Sequence, residues 1–313
     1  MTLPFETNLP EKPPPGSSPP EASPSDSSSW NRTLILSISG LRFELQGLPS
    51  ELRSRLAVRF SRFVVEPDSV TRANLTIRVR PAVVRGYLDY DTHGQAKVYE
   101  LETRVEEGRL HAWSYAFSGW FEIDGDQGEL SLCDSDVEPP SHSIENFLRV
   151  AFAWKASKAG GFLFHASGLV RDGRAYVFFG PSGSGKTTVT RLYPHELQLN
   201  DDCIHITRAG SVFYAGGVPF KGCPEGGAQD AGAFPIAGLF RLVQSRNVAC
   251  ERLGAAEAMA EIATSVPFVS ETPEGALRVF EAAEAMARTV PVMKLYFELA
   301  PSFWDVMEES LRG

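Results

Sequence analysis

The chain has 313 residues, a hydrophobic fraction of 43% and a formal net charge of -9. That length admits one large domain or two modest ones, and that apolar content supports a real core. An acidic balance argues against nucleic acid or an anionic membrane as the main partner, and no run of about 18 apolar residues is present to span a bilayer.

Residues 1–29 are dominated by Pro, Ser and Glu. They cannot bury enough apolar surface to offset ordering entropy, which predicts a disordered tail. The N-terminus also lacks the apolar run of a secretion signal, so the Asn31 and Asn74 glycosylation patterns read as chance matches. Cys133, Cys203, Cys223 and Cys250 form no CxxC pair, which predicts reduced, mostly buried thiols and a cytoplasmic protein.

From Trp30 onward, Thr33–Ser39 and Leu41–Gln46 read as strands around Gly40, and Leu48–Phe63 has helical periodicity from Pro49-Ser50. Ala73–Val79 alternates like a strand. Tyr99–Val105, Leu110–Phe117, Trp120–Ile123 and Glu129–Cys133 predict a β-meander with turns at Glu107-Gly108 and Asp124-Gly125. His93 and His111 are lone histidines read as surface or structural residues. Ser143–Ala159 predicts a helix capped by Ser143, with Ile144, Phe147, Leu148 and Ala151 on one face and Gly160-Gly161 ending it. Phe162–Val170 and Arg174–Phe179 predict two strands joined at Asp172-Gly173. This organisation divides the chain into the tail 1–29, an α+β region 30–142 and a nucleotide-binding unit 143–313.

The second of those strands runs into Gly180, Pro181, Ser182, Gly183, Ser184, Gly185, Lys186, Thr187 and Thr188. This is a full GxxxxGK match followed by Thr. Glycines let successive N–H groups turn toward phosphate oxygens, Lys186 is placed to neutralise the β/γ-phosphates, and the Thr187 hydroxyl to coordinate Mg²⁺. The short helix that follows adds its dipole and is predicted to stop at Pro194. The segment therefore predicts ATP and Mg²⁺ as ligands. Downstream, Leu197–Ile206 reads as a strand interrupted by Asp201 and Asp202. In a strand the two carboxylates point to opposite faces. Carboxylates beside Mg-ATP hold metal or accept the proton of an attacking hydroxyl. His165, in an apolar strand, reads on its own as a core histidine.

The run His165-Ala-Ser, Gly180 to Thr188 and Leu199-Asn-Asp-Asp202 resembles the C-terminal domain of HPr kinase/phosphorylase and its kinase-like relatives, which share a fold with phosphoenolpyruvate carboxykinase. The resemblance covers roughly residues 160–312. Gly216–Gly222, Phe234–Phe240 and the closing Leu295-Tyr-Phe and Phe303-Trp304 are similar to the same relatives. It implies an α/β fold around a mixed, strongly β sheet, with a smaller N-terminal α+β region. By matching position it implies Lys186 and Thr187 as loop lysine and metal-binding hydroxyl, Asp201 as base, Asp202 as the carboxylate near the metal, and His165 as an active-site histidine. The Glu-Ile-Arg-Gly signature of HPr kinases is missing; Gly- and Ala-rich sequence occupies Lys221 to Gly232. That directs the expectation away from HPr itself.

The function expected is ATP-dependent phosphoryl transfer to a hydroxyl, in particular a serine, of a peptide, protein or small molecule. An oligomer is compatible with it. A nucleotide-binding regulatory protein without transfer is the alternative, and a carboxykinase-like lyase a more distant one.

Overall fold

A computed structural model describes residues 30–67, 71–82, 87, 101–133, 138–193, 195–221, 232–298 and 303–312. The expected tail, His93, Tyr99, Pro194 and Cys223 lie outside them.

The first sheet opens with the hairpin β1 (Trp30–Ile38) and β2 (Leu41–Pro49), followed by helix α1 (Ser50–Arg59). β3 (Leu75–Pro81) pairs parallel with β2. A meander of β4 (Glu102–Glu106), β5 (Arg109–Trp113), β6 (Phe117–Glu122) and β7 (Gln127–Leu132) completes seven strands in the order β1-β2-β3-β7-β6-β5-β4. Alternation decides the buried face: Leu75, Ile77 and Val79 on β3, and Phe117 and Phe121 on β6, all turn inward. The expected strand Leu110–Phe117 is broken. Ser114–Ala116 form the turn between β5 and β6, with Ser114 N donating to Phe117 O at 3.0 Å. Three small or aromatic residues carried the apolar pattern through a reversal that periodicity does not register.

Helix α2 (Pro140–Lys158) begins three residues before the expected Ser143 cap. Proline supplies the start instead: Pro139 stands at the cap and Pro140 in the first turn, where its fixed φ suits the helix and its missing N–H costs nothing. Ser143 is buried within the helix. Burial is nearly continuous from Ser143 to Ser157, because α2 lies between the first sheet and the second. Phe147 meets Phe117 and Phe121 edge-on, and Phe152 meets Phe43. Lys155 donates to the carbonyls of Glu122, Ile123 and Gly125 at 2.8, 3.2 and 2.5 Å, closing the β6–β7 turn. Burial pushes the Lys155 pKa down.

The second sheet contains β8 (Phe162–Phe164), β9 (Ala166–Arg171), β10 (Arg174–Phe179), β11 (Leu197–Asn200), β12 (Ile204–Ala209), β13 (Val212–Gly217), β14 (Ala233–Gln244), β15 (Ala249–Arg252) and β16 (Val292–Phe297). Helices α3 (Lys186–Leu192), α4 (Ala255–Thr264), α5 (Pro273–Thr289) and α6 (Phe303–Arg312) join or flank them. The path runs β11-β9-β10-β14-β13-β12-β8, with β16 beside β14 and β15 beside β16. β14 spans both arms of this curled sheet: its start pairs antiparallel with β13, and its end pairs parallel with β10 and β16. The architecture is mixed α/β and sheet-dominated. The expected strand Phe162–Val170 splits at His165: Phe162–Phe164 pair with β12, whereas Ala166–Arg171 pair with β10 and β11. Among the described residues no helix is long and apolar enough to cross a membrane.

His205 on β12 is 4% exposed, its ring edge-on to Phe152 at 5.0 Å. Gly161 leaves it room, since a Cβ there would lie 2.5 Å from Nε2. Burial pushes its pKa down to about 4. The native state therefore keeps the ring neutral, while the unfolded chain takes up a proton below pH ~6.5. This contribution is present above that value and is lost as pH falls toward the folded pKa, at most on the order of 3 kcal/mol. Urea midpoints at pH 7 and 4.5 should fall more steeply for the wild type than for His205→Leu; parallel declines would remove the buried histidine as the cause.

Candidate functional site

β10 delivers the chain directly to Gly180, and the loop ends where α3 begins. Gly185 has φ 108°, and a Cβ there would lie 2.7 Å from Cζ of Phe297, so both backbone and neighbour require glycine. The loop is fastened to the sheet on two sides. Gln244 Nε2 at the end of β14 donates to Gly183 O at 2.9 Å, and Ser167 Oγ on β9 donates to Lys186 O at 2.9 Å. Pro181, Ser182 and Gly183 are exposed, Ser184 is buried, and Thr187 and Thr188 are half-buried. Lys186 is 7% exposed, and its Nζ donates to Gly180 O at 2.9 Å and Pro181 O at 3.1 Å. Burial pushes its pKa down, and the Asp202 carboxylate opposes that shift.

The acidic pair occupies the break between β11 and β12, and Asn200 shapes that break. Its Nδ2 donates to Val218 O and Phe220 O at 2.7 and 2.8 Å. Its Oδ1 accepts from the backbone N–H of Asp201 at 2.7 Å and of Asp202 at 3.0 Å. A fully buried amide thus fixes the backbone of both carboxylates. Asp201 is 2% exposed, and its carbonyl accepts a long 3.4 Å contact from Thr187 Oγ1. The Asp202 side chain meets two partners. Its Oδ1 lies 3.4 Å from His165 Nδ1 and its Oδ2 lies 3.2 Å from Arg149 Nη1.

His165 and Asp202 therefore meet, and the Lys186 charge acts on both. Burial pushes the His165 pKa down; Asp202 opposes this, while Lys186 and Arg149 add to it. His165 sits where the chain passes from one arm of the sheet to the other, which is why an apolar strand carries a half-exposed histidine. Among the described residues, His165, Asp202 and Cys203 are the one group of acidic, His and Cys side chains whose ligand atoms lie within 4.8 Å of one another. Burial holds the Cys203 thiol well above its usual range, so it is a protonated sulfur. With its sulfur protonated, the group offers a carboxylate and an imidazole rather than a thiolate.

Two residues of this cluster escaped the sequence reading. Asn200 was visible only as a neighbour of the carboxylates. Arg149 had a local signal, a cation between the fully buried Leu148 and Val150 of α2, but its partner lies far along the chain.

Residues 142–312 match the model of the family described as SynChlorMet cassette protein ScmC. The chain belongs to the ScmC family. The ScmC match takes in the glycine loop, the acidic pair and nearly all of α2, and leaves out the first sheet. No curated protein matches this ScmC family member. Among solved structures, it is similar to the Hpr(Ser) kinase/phosphatase from Coxiella burnetii at 12% identity and a TM-score of 0.27, over 48% of this chain and 99% of that one.

Proposed function

We propose that this chain binds ATP with Mg²⁺ at Gly180 to Thr188 and transfers the γ-phosphoryl group to a hydroxyl. The observation that carries this reading is a glycine loop that leaves one strand and opens a helix at a buried Lys186, together with the Asp202–His165 contact. We assign residues 143–313 as the unit bearing the reaction and 30–142 as its companion.

Phosphoryl transfer asks the protein for positioning and charge stabilisation. Backbone N–H groups of the loop and Lys186 would hold the β- and γ-phosphates. Thr187 and Asp202 would hold Mg²⁺, which when bound neutralises charge between those phosphates. The acceptor oxygen bonds to the γ-phosphorus as the bond to the β–γ bridging oxygen breaks; the hydroxyl proton passes to a carboxylate, and ADP leaves. We assign that proton to Asp201, whose backbone carbonyl accepts from Thr187 Oγ1. His165, at 3.4 Å from Asp202 Oδ1, would orient that carboxylate.

The acceptor class we favour is a serine-bearing peptide or protein, and the family's description as a cassette protein directs the search to products of neighbouring genes. The test is incubation with γ-labelled ATP and such candidates, read by mass spectrometry. Label on a hydroxyl of one candidate is expected. Nucleotide binding without transfer to any acceptor would move the regulatory reading ahead, and nucleotide-dependent CO₂ release from oxaloacetate would point to a lyase.

A further inference from the structure

We propose that Arg149 is a positioning residue of this site, holding the Asp202 carboxylate at the end of an ion-pair chain that begins on α1. The inference rests on the phosphoryl-transfer reading above. Arg59 of α1 pairs through Nε with Glu145 Oε2 on α2. Glu145 is 3% exposed, and its Oε1 accepts from Lys221 N at 2.8 Å and lies 3.7 Å from Arg149 Nη2. Arg149 Nη2 also donates to Lys221 O at 3.2 Å, and its guanidinium lies 5.9 Å from the Phe220 ring. With one arm of the fork engaged in this way, the other, Nη1, is aimed at Asp202 Oδ2 at 3.2 Å.

The chain of charges Arg59–Glu145–Arg149–Asp202 joins the first sheet's helix to the centre of the candidate site. Removing such groups from water costs much of what their attraction returns, so a buried series contributes little to stability compared with well-packed apolar side chains. What it does provide is direction. Asp201 and Asp202 are adjacent carboxylates, and a polyphosphate brought to the loop would repel both. A fixed guanidinium behind Asp202 counters that repulsion and keeps Oδ1 on His165 Nδ1. A lysine supplies the charge but not the rigid two-armed fork.

The test uses the full chain with MgATP turnover, MgATP titration and urea unfolding. Arg149→Met is expected to lower kcat by about tenfold or more, as misplacement of a reacting group does, with KM for MgATP within roughly threefold of wild type. Arg149→Lys should fall between the two. In unfolding, the midpoint shifts of Arg149→Met and Asp202→Asn should fail to add in the double variant. Folded Arg149→Met with wild-type kcat, or additive midpoints, would overturn the proposal. Should Arg149→Met not fold, wild-type kcat in Arg149→Lys overturns it equally. A wild type that turns over no nucleotide, or Lys186→Met turning it over at the wild-type rate, removes the parent reading and this one together. Inactive Lys186→Met beside fully active Arg149→Met removes this one alone.

Discussion

Lys186→Ala is expected to abolish measurable turnover and to weaken MgATP binding by about 10- to 100-fold, the range of a charge-assisted hydrogen bond lost without replacement. Turnover should suffer more than binding, by about 10² to 10³, because charge on the transferred phosphoryl group grows toward the transition state. Lys186 is also part of the loop's own architecture, since Nζ bridges Gly180 O and Pro181 O. A fall in melting temperature is therefore expected as well, and turnover must be expressed per folded molecule. Lys186→Met, which keeps the stem, separates the two effects: stability should partly return while turnover stays low. Wild-type turnover in either folded variant would refute the phosphate-binding assignment of the loop.

Asp201→Asn and Asp202→Asn should produce different failures. Removing the charge at Asp201 is expected to leave MgATP affinity within a few-fold while transfer falls by roughly 10² or more, the contribution of a positioned base. Asp202→Asn should raise the Mg²⁺ concentration needed for half-maximal rate, because the carboxylate we assign to the metal is lost. The placement of the side chains makes this comparison sharp. Asp202 reaches His165 and Arg149 and acts on Lys186, whereas Asp201 is nearly inaccessible. If Asp202→Asn loses transfer at saturating Mg²⁺ and Asp201→Asn does not, the two roles exchange. If neither variant slows transfer to an identified acceptor, no carboxylate of the pair serves as base.

The glycine loop was legible because its information is local. Glycine spacing, the preceding strand and the helical start lie within a short stretch, and the conformation at Gly185 answers to that stretch plus one ring, Phe297. The break at Asp201-Asp202 was legible because two carboxylates interrupt an apolar run. Change of partner was not. Phe162 to Val170 is apolar throughout, and nothing in its pattern distinguishes a strand that keeps its neighbours from one that exchanges them at His165. Likewise, Arg149 meets Asp202 across 53 positions of sequence, a contact fixed by how α2 is clamped between sheets rather than by any motif. The start of α2 was misplaced for a simpler reason: a serine with cap chemistry stood three residues inside a helix that prolines had already begun.

The position of α2 separates inheritance from folding. The family match begins at residue 142, inside this helix, as though the chain could be divided there. Yet α2 touches β2, β5, β6 and β7 on one side and β8 on the other, and Phe147 lies among aromatic rings supplied from outside the matched residues. A segment cut at that boundary would turn a helix interior into a bare apolar surface of the kind that drives self-association. The matched segment is thus smaller than the packed unit, and the first sheet, outside the match, is the wall without which the half bearing the glycine loop has an open side.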